Sequence, residues 1–264
     1  PEAGAPTAEA EDRQSEQGLT PLLEKNLACA MMYLCSEIYQ PWATGELEAV
    51  VACLGSRQKW TLAYAAMAVW CLARDPLNRQ RLGDLWAVEG VLGVLRANSD
   101  LQLKEYCLAA LWLLACDDRN AVRVSMKGGL QLAAGMLKFG NGDEYLALKT
   151  LCCGLLFHLW DRPALRPLLG CLKLTKPLLE AVRAPQGNSF LKILASGLVF
   201  CLCEDKEIRA DFEAEGGPNV LEDIFAAMIC SQSPELQTVG VFGAAALALV
   251  PKSKRALGRN GGAE

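Results

Sequence analysis

The sequence predicts an all-α protein whose chain forms a solenoid of repeated helices. The first observation is that leucines closing Ala/Gly/Leu/Cys-rich helical segments recur every 38 to 45 residues. The second is that the apolar residues of each segment fill one broad helical face, as in Lys104 to Ala115. The third is that hardly any stretch shows the apolar and polar alternation of a strand. An interval of about 40–47 residues is typical of helical repeat arrays. These leucines, here called the anchor leucines, are Leu34, Leu72, Leu114, Leu159, Leu202 and Leu247.

Charge and composition divide the chain into three parts. Residues 1–18 are rich in Pro, Gly, Ala and acidic residues, so we expect a disordered acidic N-terminal tail. This tail carries a formal charge of −4, equal to that of the whole chain, so the remaining residues 19–264 are neutral as a whole and the repeat solenoid, residues 19–250, has no basic surplus. Residues 251–264 are basic and Gly-rich, and we expect a flexible C-terminal tail there. Because binding to phosphates needs clustered Lys and Arg, a neutral solenoid does not favour a nucleic-acid partner.

The use of cysteine and the lengths of the apolar runs indicate a cytoplasmic protein. Most of the twelve cysteines lie inside helical patterns as small apolar residues, which is typical of reduced, intracellular proteins. The longest apolar run, Val239 to Val250, is shorter than the roughly 20 residues that a membrane span needs. No secretory signal pattern is visible, so we expect no direct insertion into a membrane. Tethering to a membrane through a terminus outside this chain stays open.

Capping and turn residues set the order of the first helices. Residues 22–35 predict the last helix of an incomplete first repeat, which caps the array. A turn, a short helix over Glu46–Leu54 and a long helix over Trp60–Ala73 follow. Asp75 and Pro76 then supply an N-cap and a proline at the first helical position, so the next repeat starts there.

The residues that follow resemble one unit of an armadillo repeat. The segment Asn78–Gln80 (NRQ), a glycine-containing turn, Val91–Asp100 (VLGVLRANSD) and Ala109–Ala115 (AALWLLA) look like its three helices. The resemblance is to a family pattern and covers about residues 19–250. It implies a right-handed solenoid of about five and a half three-helix repeats. Recurring residues support this register: Arg79, Arg123, Arg166 and Arg209 in the first helices, and Gly128-Gly129 and Gly216-Gly217 in the turns.

Proline interrupts one of the repeats. Because proline inside a helix costs about 3 kcal/mol and breaks or kinks it, we expect the first two helices of this repeat to be short or distorted. The prolines concerned are Pro163, Pro167 and Pro177.

The resemblance implies a concave groove lined by the third helices, but with unusual chemistry. The family holds an extended peptide with an Asn one residue before the anchor and a Trp four residues before that Asn. Here the Asn positions hold Tyr33, Cys71, Leu113, His158, Cys201 and Ala246, and the Trp positions hold Cys29, Met67, Ala109, Gly154, Gly197 and Phe242. Because Asn and Trp are missing, we expect an apolar groove in which small residues leave recesses. We assign partner binding to Met67, Cys71, Ala109, Leu113, Gly154, His158, Gly197 and Cys201.

Two further rows accompany this groove. An aromatic row lies two positions before the anchors, and helical spacing allows it to be core between repeats or a flank of the groove. A basic row lies ten positions before the anchors, about 180° from the Asn positions, so we interpret it as an edge or solvated row and not as a site for an acidic ligand. The aromatic row is Trp70, Trp112, Phe157 and Phe200, and the basic row is Lys104, Lys149 and Lys192.

The chain offers little for catalysis or for a cofactor. It contains one histidine, His158, which shares its repeat position with Cys201, and parallel helices pack about 8–10 Å apart. Any Ser–His–Asp or Cys–His catalytic set must therefore include His158, and a pair with Cys201 is geometrically conceivable, whereas a groove-facing or partly buried histidine without chemistry is the alternative. The cysteines lack the paired spacing of zinc sites, and no nucleotide-binding motif is present. We predict no catalytic residue, no metal and no cofactor.

These features predict a non-enzymatic scaffold or adaptor for protein–protein interaction. Its ligand is expected to be an amphipathic helix or an apolar-anchored peptide segment of a partner protein, held in the concave groove. The alternative is a co-chaperone that engages Hsp70, Hsp90 or an unfolded client, because an apolar groove suits that role as well. The sequence leaves the oligomeric state open.

Overall fold

The computed structural model describes residues 42–140, 142–184 and 189–248. The predicted acidic tail, the incomplete first repeat with anchor Leu34, and the C-terminal tail lie outside these residues. The boundaries proposed for these three segments therefore stay predictions.

The described residues form fourteen α-helices and no strand. Two short 3-10 helices, Asp143–Tyr145 and Pro163–Leu165, are also present. The α-helices are α1 (Thr44–Cys53), α2 (Lys59–Leu72), α3 (Pro76–Asp84), α4 (Ala87–Ala97), α5 (Leu101–Leu114), α6 (Asp118–Met126), α7 (Gly129–Met136), α8 (Leu146–Trp160), α9 (Arg166–Gly170), α10 (Thr175–Arg183), α11 (Ser189–Leu202), α12 (Lys206–Gly216), α13 (Val220–Ile229) and α14 (Pro234–Ala248).

The helices are arranged as a repeat solenoid, which confirms the predicted fold class. A leading pair, α1 and α2, precedes four three-helix units: α3–α5, α6–α8, α9–α11 and α12–α14. The third helices α2, α5, α8, α11 and α14 pack side by side in chain order. The anchor leucines of the described residues are all buried near the ends of these helices. None of the described helices combines the length and the apolar character that crossing a membrane requires.

An aspartate starts the first helix of three of the four units. The carboxylates of Asp75, Asp117 and Asp205 accept hydrogen bonds from backbone N–H groups in the first turn of α3, α6 and α12. Such caps satisfy backbone donors that have no partner within the helix. Each of these residues lies three positions after its anchor leucine, so the cap is part of the repeat.

The third unit departs from this pattern where the prolines predicted a change. It has Arg162 in place of the capping aspartate, and its first helix consists of a 3-10 turn from Pro163 followed by α9, which has five residues. The expectation of a distorted second helix is wrong, because α10 has nine residues. Pro177 is the third residue of α10, where a backbone N–H would have no partner within the helix anyway.

Buried asparagines join α6 and α3 to the part of the solenoid that precedes each of them. Asn120 on α6 donates through Nδ2 to the carbonyl of Arg79 on α3 at 3.0 Å. Its side chain occupies the space beside Gly83, where a Cβ would overlap it. Asn78 on α3 lies one unit earlier, and its Oδ1 accepts from the backbone N–H of Trp42 at 2.8 Å. These bonds tie α6 to α3, and α3 to the backbone just before α1.

In the turn between the first and second helices of each unit, one residue adopts a backbone conformation with positive φ. Gly128 adopts φ 80° at this position, as the predicted Gly128-Gly129 turn leads one to expect. Trp86 and Lys173 adopt positive φ at the corresponding turns without being glycine. Gly217 also has positive φ, at 102°, directly after α12.

Replacing Asn120 with Ala should lower the free energy of unfolding by about 1–3 kcal/mol, because the carbonyl of Arg79 loses its buried partner. Gln80→Ala, at an exposed position on α3, is the matched control and should change stability by less than about 0.5 kcal/mol. Urea denaturation of both variants measures the difference. Equal stability of the two would show that this bond does not hold the units together.

Candidate functional site on the third helices

The solvent-facing side of α2, α5, α8, α11 and α14, here called the third-helix face, carries the predicted groove residues. Most of them are half-buried, because one side of each residue packs on the core and the other faces solvent. The face is apolar from α2 through α11. Its half-buried residues at the predicted groove and aromatic positions are Met67, Trp70, Cys71, Trp112, Leu113, Phe157, His158, Phe200 and Cys201.

Gly154 and Gly197 do not form open recesses, which corrects the sequence-based expectation. The Trp112 ring of the preceding unit lies directly over Gly154, and a Cβ there would overlap the ring. The Phe157 ring lies over Gly197 in the same way, with its Cε2 atom 3.1 Å from where a Cβ would be. Ala109, at the same position of the first unit, is likewise buried.

The aromatic row therefore serves both of the functions considered. Two of its rings, Trp112 and Phe157, reach across to a glycine of the following third helix, so they contribute to the packing between units. Each ring also stays partly exposed. The floor of the face is thus built from aromatic rings and apolar side chains and not from gaps between them. A large side chain at residue 197 would collide with Phe157 instead of filling free space.

His158 lies half-buried on this face beside backbone carbonyls and Arg162. Its Nε2 atom is buried and has no hydrogen-bond partner. Burial lowers the pKa of this imidazole, and the positive charge of Arg162 lowers it further, while the carbonyl of Ala115 opposes the shift. The neutral imidazole is the favoured form, so His158 acts as a polar but uncharged part of an apolar face.

Arg162 links the second and third units around this histidine. Its guanidinium donates to the carbonyls of Ala115 at 2.8 Å and His158 at 2.9 Å, and to the carboxylate of Asp118 at 3.1 Å. We did not identify this residue from the sequence. The sequence does contain a sign that the second unit differs: the recurrent arginine is missing seven positions after anchor Leu114, where the residue is Ala121.

The recurrent arginines bind the backbone carbonyl that follows an anchor leucine. Arg79, Arg166 and Arg209 each donate through Nε to the carbonyl one residue after the preceding anchor, at 2.9, 3.1 and 3.1 Å. Arg123 lies two positions further along and donates instead to the carbonyl of Gly83. The carbonyl of Ala115 would therefore have no such arginine, and Arg162 of the following unit supplies one.

The Cys201–His158 pair lacks the properties of a catalytic dyad. Burial raises the pKa of the Cys201 thiol to about 12, and the carboxylates of Glu204 and Asp161 act in the same direction. A nucleophilic cysteine needs the opposite shift, because the thiolate is the reactive form. Within the part of the chain that the structure describes, no group of His, Cys, Asp and Glu could hold a metal ion.

The three lysines of the predicted basic row have different surroundings. The Lys104 ammonium lies 4.7 Å from the centroid of the Phe139 ring. Lys192 lines an apolar cavity of about 310 Å³ between α10, α11, α13 and α14. Lys149 is only 5% exposed, so its interpretation as an edge or solvated residue is wrong. The burial of Lys149 on α8 is not revealed by the spacing of the lysines in the sequence.

Comparison with known proteins supports the fold. No protein-family model and no curated protein matches this chain. Similar solved structures include computationally designed armadillo repeat proteins for modular peptide recognition, with TM-score 0.67 and 14% identity over 81% of this chain and 88% of that chain. A designed armadillo repeat protein in complex with the peptide (KR)4 has TM-score 0.68 and 10% identity over 90% and 98%. An engineered protein has TM-score 0.77 and 18% identity, covering 94% of this chain and 60% of that chain. The chain has the fold of an armadillo-like solenoid.

Glycine-to-alanine variants test the ring contacts. Gly154→Ala should lower the free energy of unfolding by about 1–3 kcal/mol, because the new methyl group overlaps the Trp112 ring. Gly197→Ala should cost less, since Phe157 needs to move only slightly. Gly93→Ala in α4 is the control, with no atom within 4 Å, and should gain about 0.5–1 kcal/mol from helix propensity. Thermal melts give the order, and a destabilised Gly93 variant with an unchanged Gly154 variant would contradict the assignment.

The single histidine makes a pH test possible. Because the folded pKa of His158 lies below its ordinary value of 6.5, the unfolded chain binds more protons between the two values. His158 therefore imposes no penalty above about pH 6.5, and the free energy of unfolding falls as the pH drops below it. Denaturation of the parent and of His158→Gln between pH 5 and pH 7.5 should show a flatter profile for the variant. Identical profiles would mean that the imidazole is not held in its neutral form.

Proposed function

We propose that this protein is a non-enzymatic scaffold that holds an amphipathic helix or an apolar-anchored segment of a partner protein on the third-helix face. The observation that carries the proposal is the face itself, an apolar surface that continues across successive units. Solvent-exposed apolar surface of this extent is costly, and in soluble proteins it marks an interaction site.

Exposed aromatic side chains on the third helices support this assignment. Trp60 on α2, Phe190 on α11 and Phe242 on α14 are 53%, 47% and 64% exposed. Large aromatic side chains contribute much of the binding energy at protein interfaces. Their distribution from α2 to α14 favours a ligand that contacts several units.

The chemistry of the face favours a helix over an extended basic peptide. The peptide (KR)4 is bound by a designed armadillo protein with the same fold. In this chain, three of the positions expected to grip a peptide backbone hold Cys71, Leu113 and Cys201, which lack the amide that pairs with a backbone. A helix satisfies its own backbone hydrogen bonds and needs only apolar contacts at i, i+3, i+4 and i+7.

The co-chaperone role draws support from the same surface. An apolar face would also accept exposed apolar segments of an unfolded client or part of a chaperone. The two roles differ in the identity of the partner. Affinity purification from the native cell followed by mass spectrometry separates them: recovery mainly of Hsp70 or Hsp90 supports the co-chaperone role, and recovery of one unrelated protein supports the adaptor role.

A direct binding test uses two labelled peptides. The first is a net-neutral amphipathic helix of about 18 residues with leucines at i, i+3, i+4 and i+7, and the second is (KR)4. In fluorescence anisotropy the helix should bind and (KR)4 should not. Binding should depend weakly on salt, because screening acts on charges and not on apolar burial. Leu113→Glu and Met67→Glu should each raise Kd by about tenfold or more.

Gln131→Glu, at an exposed position on α7, is the control and should leave Kd unchanged. Melting curves must show that all three variants are folded. If folded Leu113→Glu and Met67→Glu bind the helix as tightly as the parent, the third-helix face is not the site. If moderate salt abolishes binding, the interaction is electrostatic and the proposed chemistry is wrong.

A further inference from the structure

A second apolar surface lies on the first helix of the second unit. The side chains of Arg119, Val122, Arg123 and Met126 follow i, i+3, i+4, i+7 spacing and therefore lie on one side of α6. Val122 is 43% exposed and Met126 is 79% exposed. The other side of α6 is buried against its neighbours α3, α4, α5 and α7. The exposed side is separate from the third-helix face, to which α6 contributes no residue.

Trp86 extends this surface from the preceding unit. It lies in the turn between α3 and α4 and is 61% exposed. The Arg123 guanidinium lies 5.5 Å from the centroid of its ring, donates to the carbonyl of Gly83 and pairs with Asp84 at 3.8 Å. We call Trp86, Arg119, Val122, Arg123 and Met126 together the Trp86–α6 surface.

The backbone at Trp86 shows that the fold does not require a tryptophan there. Trp86 has φ 66°, in the left-handed region that side chains with a Cβ rarely adopt. The same turn in the next unit has Gly128 at φ 80°, so glycine satisfies the geometry without strain. Because the Trp86 ring is mostly exposed, its burial contributes little stability to offset the backbone strain. Strain that the fold does not need points to a functional role.

The charges around this surface determine the kind of partner. Lys127 and Arg96 lie at its edge, where Arg96 donates to the carbonyl of Lys127. Together with Arg119 and Arg123 they make four cations. The nearby acids are Asp84, which pairs with Arg123, Glu89, which lies 3.9 Å from Lys127, and Asp118, which precedes Arg119 on α6 and pairs with Arg162. The surface therefore has a positive excess in a chain whose formal charge is −4.

We propose that the Trp86–α6 surface docks an acidic segment of a partner protein that carries an apolar anchor side chain. The anchor packs on the exposed Trp86 ring and on Val122 and Met126. The carboxylates of the segment pair with Arg119 and Lys127, and with the edge of the Arg123 guanidinium that faces solvent. This docking does not depend on the proposed ligand of the third-helix face.

The test measures anisotropy of a fluorescein-labelled peptide made of Asp and Glu with two leucines, using the full chain. It should bind, and moderate salt should weaken it because the contact includes exposed charges. A peptide with serine in place of leucine and one with lysine in place of the acids should each bind at least about tenfold more weakly. Failure of the acidic peptide to bind, or equal binding of the three peptides, overturns the proposal.

Variants locate the site. Trp86→Gly should melt at the same or a higher temperature, because it removes the backbone strain. It should nevertheless weaken binding of the acidic peptide by about tenfold. Arg119→Glu should weaken it as well. Trp60→Ala and Leu113→Glu change the third-helix face and should leave this binding unchanged, which separates this proposal from the proposed function. Unchanged affinity in Trp86→Gly overturns the proposal.

Two other occupants would also overturn it. Vesicles of phosphatidylserine and phosphatidylcholine test a membrane: binding that Trp86→Gly abolishes, without binding of the acidic peptide, assigns the surface to lipid. Sedimentation velocity tests a second copy: a dimer of the parent that Trp86→Gly dissociates assigns the surface to self-association.

Discussion

The close approach of consecutive third helices is the contact on which the rest of the structure depends. Trp112 covers Gly154 and Phe157 covers Gly197, so the first and second units each place an aromatic ring where the next unit has no side chain. This contact sets the distance between units, because a ring and a larger side chain cannot share the space. It also leaves the outer side of each ring exposed, so the packing between units and the apolar face have one physical origin. In a solenoid each unit contacts only its neighbours, and such contacts determine stability.

The repeat and its helices could be predicted because burial imposes a period on the sequence. The anchor leucines recur since each third helix must bury the same side, and Asp75 marks the start of α3 because a cap and a proline act locally. Contacts between units follow no such local rule. Arg162 reaches the carbonyl of Ala115 from 47 residues away. Lys149 is buried, although its position in the register of the basic row does not indicate it.

The candidate site shows the same division. The residue types at the third-helix face follow from the register, so its apolar character was predictable from the sequence. The filled space at Gly154 was not, because it depends on where the ring of another unit lies. The positions of His158 and Cys201 in neighbouring units were also predictable, but their ionisation depends on burial. The pKa of the thiol rises to about 12, which is opposite to the shift that a nucleophilic cysteine needs.

The two proposed surfaces differ in the physics of recognition, and the fold keeps them apart. The third helices present an apolar face built from side chains that also hold the units together, so its ligand must follow the spacing of the units. Helix α6 and the turn between α3 and α4 present charges and a strained tryptophan whose ring is exposed. A residue that breaks a local rule without improving stability is a stronger indication of function than one that also packs the core. By that criterion Trp86 is more informative than Trp112, because glycine could replace Trp86 in its turn, whereas Trp112 is needed to fill the space over Gly154.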